Sequence, residues 1–177
     1  MRIIAGTHKG RTLKSPTWDG LRPTSDRLRE TLFNILAPRI RGARVLDAYA
    51  GTGAVALEAL SRGATVAVCL ERERRAAALL EANRARLGEE SRCMILRDDA
   101  RRALAVPVAG GPFDIVFLDP PYDLEELAEV TSAAATQRAA GGVLVLEHAS
   151  RRTPPQVDGV APSRAVRAGD STLSFYP

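Results

Sequence analysis

The chain is poor in the residues that hold metals. Its 177 residues include only two cysteines, Cys69 and Cys93, and two histidines, His8 and His148. Both cysteines lie in apolar, strand-like stretches and read as buried thiols. The histidines are far apart and share no ligand spacing, so a metal enzyme is not expected and no metal ligand is assigned. Long apolar runs are also missing: none approaches the roughly 20 residues of a membrane span. The first residues, Met1-Arg2-Ile3-Ile4-Ala5-Gly6, lack the hydrophobic core of a secretory signal, so a cytoplasmic location and no membrane partner are expected. No repeat or low-complexity segment occurs. Hydrophobic residues make up 45% of the chain, which favours one globular fold over disorder.

Charge is unevenly distributed. The net charge is +4, yet residues 1–46 carry 10 Lys/Arg against 3 Asp/Glu, and residues 47–177 carry 15 against 18. A basic N-terminal excess suits a polyanion-facing surface, although charge alone is equally compatible with an ordinary solvated face. Segments 2–7 and 10–15 are strand-like around His8-Lys9-Gly10, which predicts a small β-hairpin. Residues 16–24 form a Pro/Gly-rich linker. Thr24 or Ser25 then caps a helix over 25–37, with Leu28, Leu32, Ile35 and Leu36 at helical spacing and Pro38 at its end.

From Ala43 onward, strand and helix patterns alternate. Strands are expected at Val45-Leu46, 65–70, 93–96, 113–118 and 142–146, and two more within 157–176. Helices are expected at 53–62, 72–87, 100–105 and 124–139. Such alternation implies βαβ units and a mostly parallel sheet with helices on both faces. Ligands in such sheets bind beyond the carboxyl ends of the strands.

The tetrapeptide Asp119-Pro120-Pro121-Tyr122 follows the apolar run Ile115-Val116-Phe117-Leu118. The prolines stiffen the strand exit. Asp119 can accept hydrogen bonds from an amino group, and Tyr122 can stack on a flat ring. The bland alternative is a rigid structural turn. A second constellation, Asp47-Ala48-Tyr49-Ala50-Gly51-Thr52-Gly53, joins the first sheet strand to a helix. Gly51 and Gly53 allow a tight turn and close ligand approach. Glu71 ends the second strand, where a carboxylate can accept from ribose hydroxyls, and Asp98-Asp99-Ala100 follows the third. Because Ala56 completes a G-x-G-x-x-A pattern, a dinucleotide site competes locally. Two features tip the balance: Asp47, at a strand end, would attract an ammonium group and repel a pyrophosphate, and a carboxylate of Asp98-Asp99-Ala100 after the third strand would accept a hydrogen bond from an adenine amino group. Asp47 or Asp99 alone is often a helix cap or turn residue, but four acids closing four strands (Asp47, Glu71, Asp99, Asp119) point to one site.

With these residues in place, the chain resembles a Rossmann-like class I methyltransferase. More narrowly, it is similar to the RsmD family of 16S rRNA (guanine-N2)-methyltransferases. The likeness runs through Arg2-Ile3-Ile4-Ala5-Gly6, Gly10-Arg11, Leu21-Arg22-Pro23-Thr24, Arg29 to Asn34, Val45-Leu46-Asp47, Ala50 to Gly53, Leu57 to Ala64, Glu71, Asn83, Asp99-Ala100 and Phe113 to Tyr122. Tyr49 and Thr52 replace Phe and Ser of the family's glycine turn. Residues 105–112 and 150–170 match weakly.

The resemblance implies an α/β fold with a mostly parallel seven-stranded sheet, helices on both faces and a small N-terminal hairpin. It implies a basic RNA-contacting extension over 1–20 and a catalytic domain over 21–177. S-adenosylmethionine is the implied cofactor, held by Arg22, Thr24, Asp47, Tyr49, Gly51, Gly53, Glu71, Asp99 and Ala100. Asp119, Pro120, Pro121 and Tyr122 are the implied catalytic motif, acting on a guanine of 16S rRNA, naked or in an assembled or assembling 30S subunit. Arg2, Lys9, Arg11 and Lys14 are candidate phosphate contacts, extended by Arg27 and Arg29. A monomer is expected. Competing readings are a methyltransferase for adenine in nucleic acid or for a protein glutamine, a non-enzymatic RNA-binding module, and an NAD-dependent oxidoreductase.

Overall fold

The computed structural model describes residues 1–18 and 26–177. Its order is α1 (Asp26–Ile40), β1 (Arg44–Asp47), α2 (Ala54–Ser61), β2 (Val66–Leu70), α3 (Arg74–Leu87), β3 (Cys93–Leu96), α4 (Ala100–Leu104), β4 (Phe113–Leu118), α5 (Leu127–Ala135), β5 (Arg138–Ala149), β6 (Arg164–Ala168) and β7 (Ser171–Tyr176). The seven strands form one sheet in the order β3-β2-β1-β4-β5-β7-β6. Strands β1 to β5 are parallel, β7 runs antiparallel to β5, and β6 antiparallel to β7. Val45-Leu46, Ala67 to Leu70 and Ile115 to Leu118 are buried without alternation, as strands covered on both faces must be. Side-chain alternation splits the core in two. Val45, Ile115, Phe117 and Val145 meet α1, α2 and α3; Leu46, Val116, Leu118, Leu144 and Leu146 meet α4 and α5. The strand order reverses between β1 and β4, and that switch point opens the site.

Several boundaries differ from the sequence reading. The cap expected at Thr24 or Ser25 lies outside the described residues. Helix α1 runs through Pro38 to Ile40. Proline costs one backbone hydrogen bond there, but Ile40 is carried into the core at 5% exposure. Gly42, at φ +79°, then turns the chain. The expected helix over 124–139 is shorter, because Arg138 already pairs with Phe113 in the sheet. The side chain of Gln137 is fixed by the 104–108 loop: its Oε1 accepts from Val108 N at 2.9 Å and its Nε2 donates to Leu104 O at 3.1 Å. Sheet pairing and this anchor override the helical preference of the alanine-rich run.

The N-terminal hairpin is reduced to one bridged pair, Arg2 with Thr12, plus bonds such as Ile3 N to Arg11 O. The reason is local. The N–H groups of Ile4 and Ala5 donate to the buried Glu58 carboxylate at 2.7 and 3.0 Å, so they are not offered to a partner strand. Ile3 and Leu13 insert into the core beside α1. At Gly6 a side chain would meet Ser61 O at 1.8 Å, so only glycine lets the arm lie against α2.

Candidate active site

A cleft of about 1500 Å³ opens over the carboxyl ends of β1 to β5 and is closed on one side by the β6–β7 turn. Its wall includes Asp47, Tyr49, Gly51, Glu71, Asp99, Ala100 and the whole of Asp119-Pro120-Pro121-Tyr122. Folding therefore gathers in one cavity four strand-end acids that span 73 positions of sequence, from Asp47 to Asp119. Gly53 lies behind the turn rather than on the wall. As the cap of α2 it sits at φ +79°, and an added Cβ would approach Leu80 Cγ to 2.9 Å. Arg22 and Thr24 lie outside the described residues.

Asp47 is 1% exposed, and its Oδ1 has no hydrogen-bond partner among the described residues. Burial pushes its carboxyl up to about 7. The Ala56 and Tyr49 backbone N–H groups oppose that shift, and the negative charge of Glu71 reinforces it. A buried carboxylate with a bare oxygen on a cavity wall is matched by a cationic group and mismatched to a pyrophosphate. The arrangement thus fits a ligand bearing an ammonium.

Glu71 is already partly engaged. Its Oε2 accepts from Gly51 N at 2.8 Å and its Oε1 from Glu73 N at 2.7 Å, which ties the glycine turn to the end of β2. Each oxygen keeps a second lone pair for a hydroxyl donor. Asp99 caps α4 through Arg101 N at 3.0 Å and pairs with Arg72 at 2.9 Å. Burial opposes its ionisation, yet Arg72 and the Arg101 N–H hold its carboxyl below the usual range. Both the capping role and a place on the wall are realised in this one residue. Tyr49 is half-buried, and burial together with Asp99 raises its hydroxyl to about 12, so it stays a neutral donor.

At the exit of β4, Pro120 is buried and Asp119 and Tyr122 are half-buried. The Leu124 N–H donates to Pro121 O at 3.0 Å and closes the turn. The Tyr122 hydroxyl bonds Ser171 Oγ at 2.5 Å and reaches Glu147 Oε1 at 3.5 Å, which fixes the ring from its polar edge. Glu147 and Ser171 lie outside every sequence motif. The available signal was a carboxylate inside the apolar run Val143-Leu144-Val145-Leu146-Glu147. Trp18 and Arg75, also on the wall, form a stacked pair with the guanidinium 4.2 Å from the ring centroid.

The basic residues fall elsewhere. Arg2, Lys9, Arg11 and Lys14 are all exposed on the arm, and none lines the cleft. Arg27 is exposed on α1, but Arg29 is 0% exposed and donates to Arg2 O at 2.7 Å and Asp26 Oδ1 at 2.9 Å. Arg29 therefore holds the arm against α1 and is no part of a surface patch. Cys69 and Cys93 are buried with their sulfurs 3.8 Å apart, and no metal-holding group of His, Cys, Asp and Glu occurs among the described residues. Among the same residues no helix is long and apolar enough to cross a membrane.

Known proteins resemble this arrangement closely. The Bacillus subtilis protein named "Putative rRNA methyltransferase YlbH" is 34% identical over 162 residues, covering 90% of this chain and 88% of that protein. Escherichia coli "Ribosomal RNA small subunit methyltransferase D" is 47% identical over 122 residues, which is 69% of this chain and 60% of that protein's length. The solved structure of "Putative methyltransferase yhhF from Escherichia coli" superposes with a TM-score of 0.87 at 34% identity, covering 99% of this chain and 96% of that one. The fold is thus the Rossmann-like fold of the class I methyltransferases. The family described as "Conserved hypothetical protein 95" matches residues 1–177, and the chain belongs to it, the RsmD family.

Proposed function

We propose that this protein transfers a methyl group from S-adenosylmethionine to the exocyclic N2 amine of a guanine in 16S rRNA. The observation that carries the proposal is the shared cleft: the bare Asp47 oxygen and Asp119-Pro120 line it together, at the ends of the adjacent strands β1 and β4. The names of its relatives support an rRNA methyltransferase. Asp47 would hold the cofactor's ammonium, Glu71 its ribose and the Asp99–Ala100 segment its adenine, with Tyr49, Gly51 and Gly53 shaping the turn and Arg22 and Thr24 completing the site. When bound, S-adenosylmethionine supplies an electrophilic methyl group on its sulfonium.

The chain's own residues solve the other half of the problem. A guanine amine is a poor nucleophile because its lone pair is delocalised into the ring. Asp119 and the Pro120 carbonyl each accept one N–H, which turns the lone pair toward the methyl group. The methyl group would come from the sulfonium of the bound cofactor, and the methylated amine would then shed its proton. Alignment of this kind lowers barriers by up to roughly 7–11 kcal/mol in favourable cases. Tyr122, held by Ser171, stacks on the turned-out base for about 1–3 kcal/mol. Arg2, Lys9, Arg11 and Lys14 contact phosphates outside the cleft, and the substrate is naked rRNA or an assembled or assembling 30S subunit bound by a monomer.

The test is a reaction with methyl-labelled cofactor offered separately to small-subunit rRNA, 30S particles, duplex DNA and a glutamine-bearing protein substrate. Label in RNA is expected. Label confined to DNA or protein would replace this reading with one of its alternatives.

A further inference from the structure

Glu147 lines the cleft, and its role so far is only to hold the hydroxyl of Tyr122. It is 3% exposed and lies near the carboxyl end of β5. The sheet register fixes its place. Asp47 is level with Phe117, and Phe117 with Val145. Two residues further on, Glu147 lies on that face of β5, and Asp119 is the first residue past the end of β4. Both carboxylates line the cleft, and the Oε1 of Glu147 lies 3.5 Å from the hydroxyl of Tyr122. It follows an apolar run and is almost wholly buried, a setting in which a carboxylate gains most from converging N–H donors.

Guanine offers such donors. Its Watson–Crick edge presents N1–H next to the N2 amine, whereas adenine presents an unprotonated N1 that a carboxylate would repel. We propose that Glu147 selects guanine by accepting its N1–H while Asp119 and Pro120 take the neighbouring amine. The proposal rests on the guanine-N2 reading above and names the residue that enforces it. Tyr122 would then contact the face of the base and steady, through its hydroxyl, the carboxylate that reads the edge.

The experiment uses 2-aminopurine, which keeps the exocyclic amine but has no proton on N1. Synthetic RNA fragments carry either guanine or 2-aminopurine at the position that the wild-type protein methylates. Wild type should disfavour 2-aminopurine by about tenfold to a hundredfold in kcat/KM, the range of one good edge contact. In Glu147→Gln the amide can donate to a bare N1, so the preference should shrink to about threefold or less while S-adenosylhomocysteine still binds. Equal wild-type rates on the two RNAs overturn the proposal without recourse to any variant. So does a Glu147→Gln protein that slows on both RNAs alike, because Glu147 would then serve only to hold Tyr122. Absence of N2-methylguanosine from every wild-type reaction is a different result, and it refutes the underlying reading instead.

Discussion

Asn83 holds the main chain of Lys14 from both sides. Its Oδ1 accepts the Lys14 N–H at 2.7 Å, and its Nδ2 donates to the Lys14 carbonyl at 3.1 Å. The same Nδ2 reaches Thr52 O in the glycine turn at 3.0 Å, and the residue is 0% exposed. One buried amide thus joins the basic arm, α3 and the glycine turn. Asn83→Ala leaves these backbone groups without their partner and should cost about 1–3 kcal/mol of stability, read by urea unfolding. A stability change within about 0.5 kcal/mol, typical of a surface substitution, would mean that the arm docks without it.

Gly53 couples a left-handed φ of +79° to a tight approach on Leu80. Gly53→Ala should therefore lose about 1–3 kcal/mol from backbone strain alone and weaken cofactor binding with it. Thermal unfolding with and without S-adenosylhomocysteine separates the two effects.

Asp47 gives the site a pH dependence whose sign is fixed by burial. With its carboxyl at about 7, it is neutral at pH 6 and charged at pH 8. Affinity for S-adenosylhomocysteine should rise with pH, about tenfold per unit below 7, and level off above. Asp47→Asn should flatten that profile. The effect on folding has the opposite sign. The folded carboxyl titrates above its unfolded value of 3.8, so this group's contribution to stability is present in acid and is lost as pH rises through 7. Calorimetry between pH 5.5 and 8 checks the binding profile, and a flat wild-type curve would contradict it.

The parts of the fold legible in the sequence were those written locally. Apolar runs bounded by turn residues marked β2, β3 and β4 to within a residue, and acids placed directly after strands marked the cleft. What escaped was decided by distant partners. Pro38 continues a helix because Ile40 has a core to enter. The 138–140 segment is strand because Phe113 pairs with it. Arg29 looks like its exposed neighbour Arg27 in sequence, yet it is buried against the arm. Glu147 reaches the motif through the pairing of β4 with β5, and Ser171 through the antiparallel return of β7, which brings it beside the end of β5. No spacing in the sequence encodes that.

The exposed arm should govern RNA affinity and leave the chemistry intact. Replacing Arg2, Lys9, Arg11 and Lys14 together by glutamine should weaken RNA binding at low salt. It should also reduce the log–log salt slope by roughly 0.7–0.9 for each phosphate that is no longer neutralised. An unchanged slope would return these four residues to an ordinary solvated surface.

The central claim is that Asp119 and Pro120 present a guanine amine to a methyl donor bound beside Asp47. Its most direct test is mass mapping of small-subunit rRNA after reaction with labelled S-adenosylmethionine, using wild type and Asp119→Ala in parallel. Wild type should yield N2-methylguanosine at one position. Asp119→Ala should yield none while binding the cofactor within several-fold of wild type. Label on an adenine, or full activity in Asp119→Ala, would contradict the assignment.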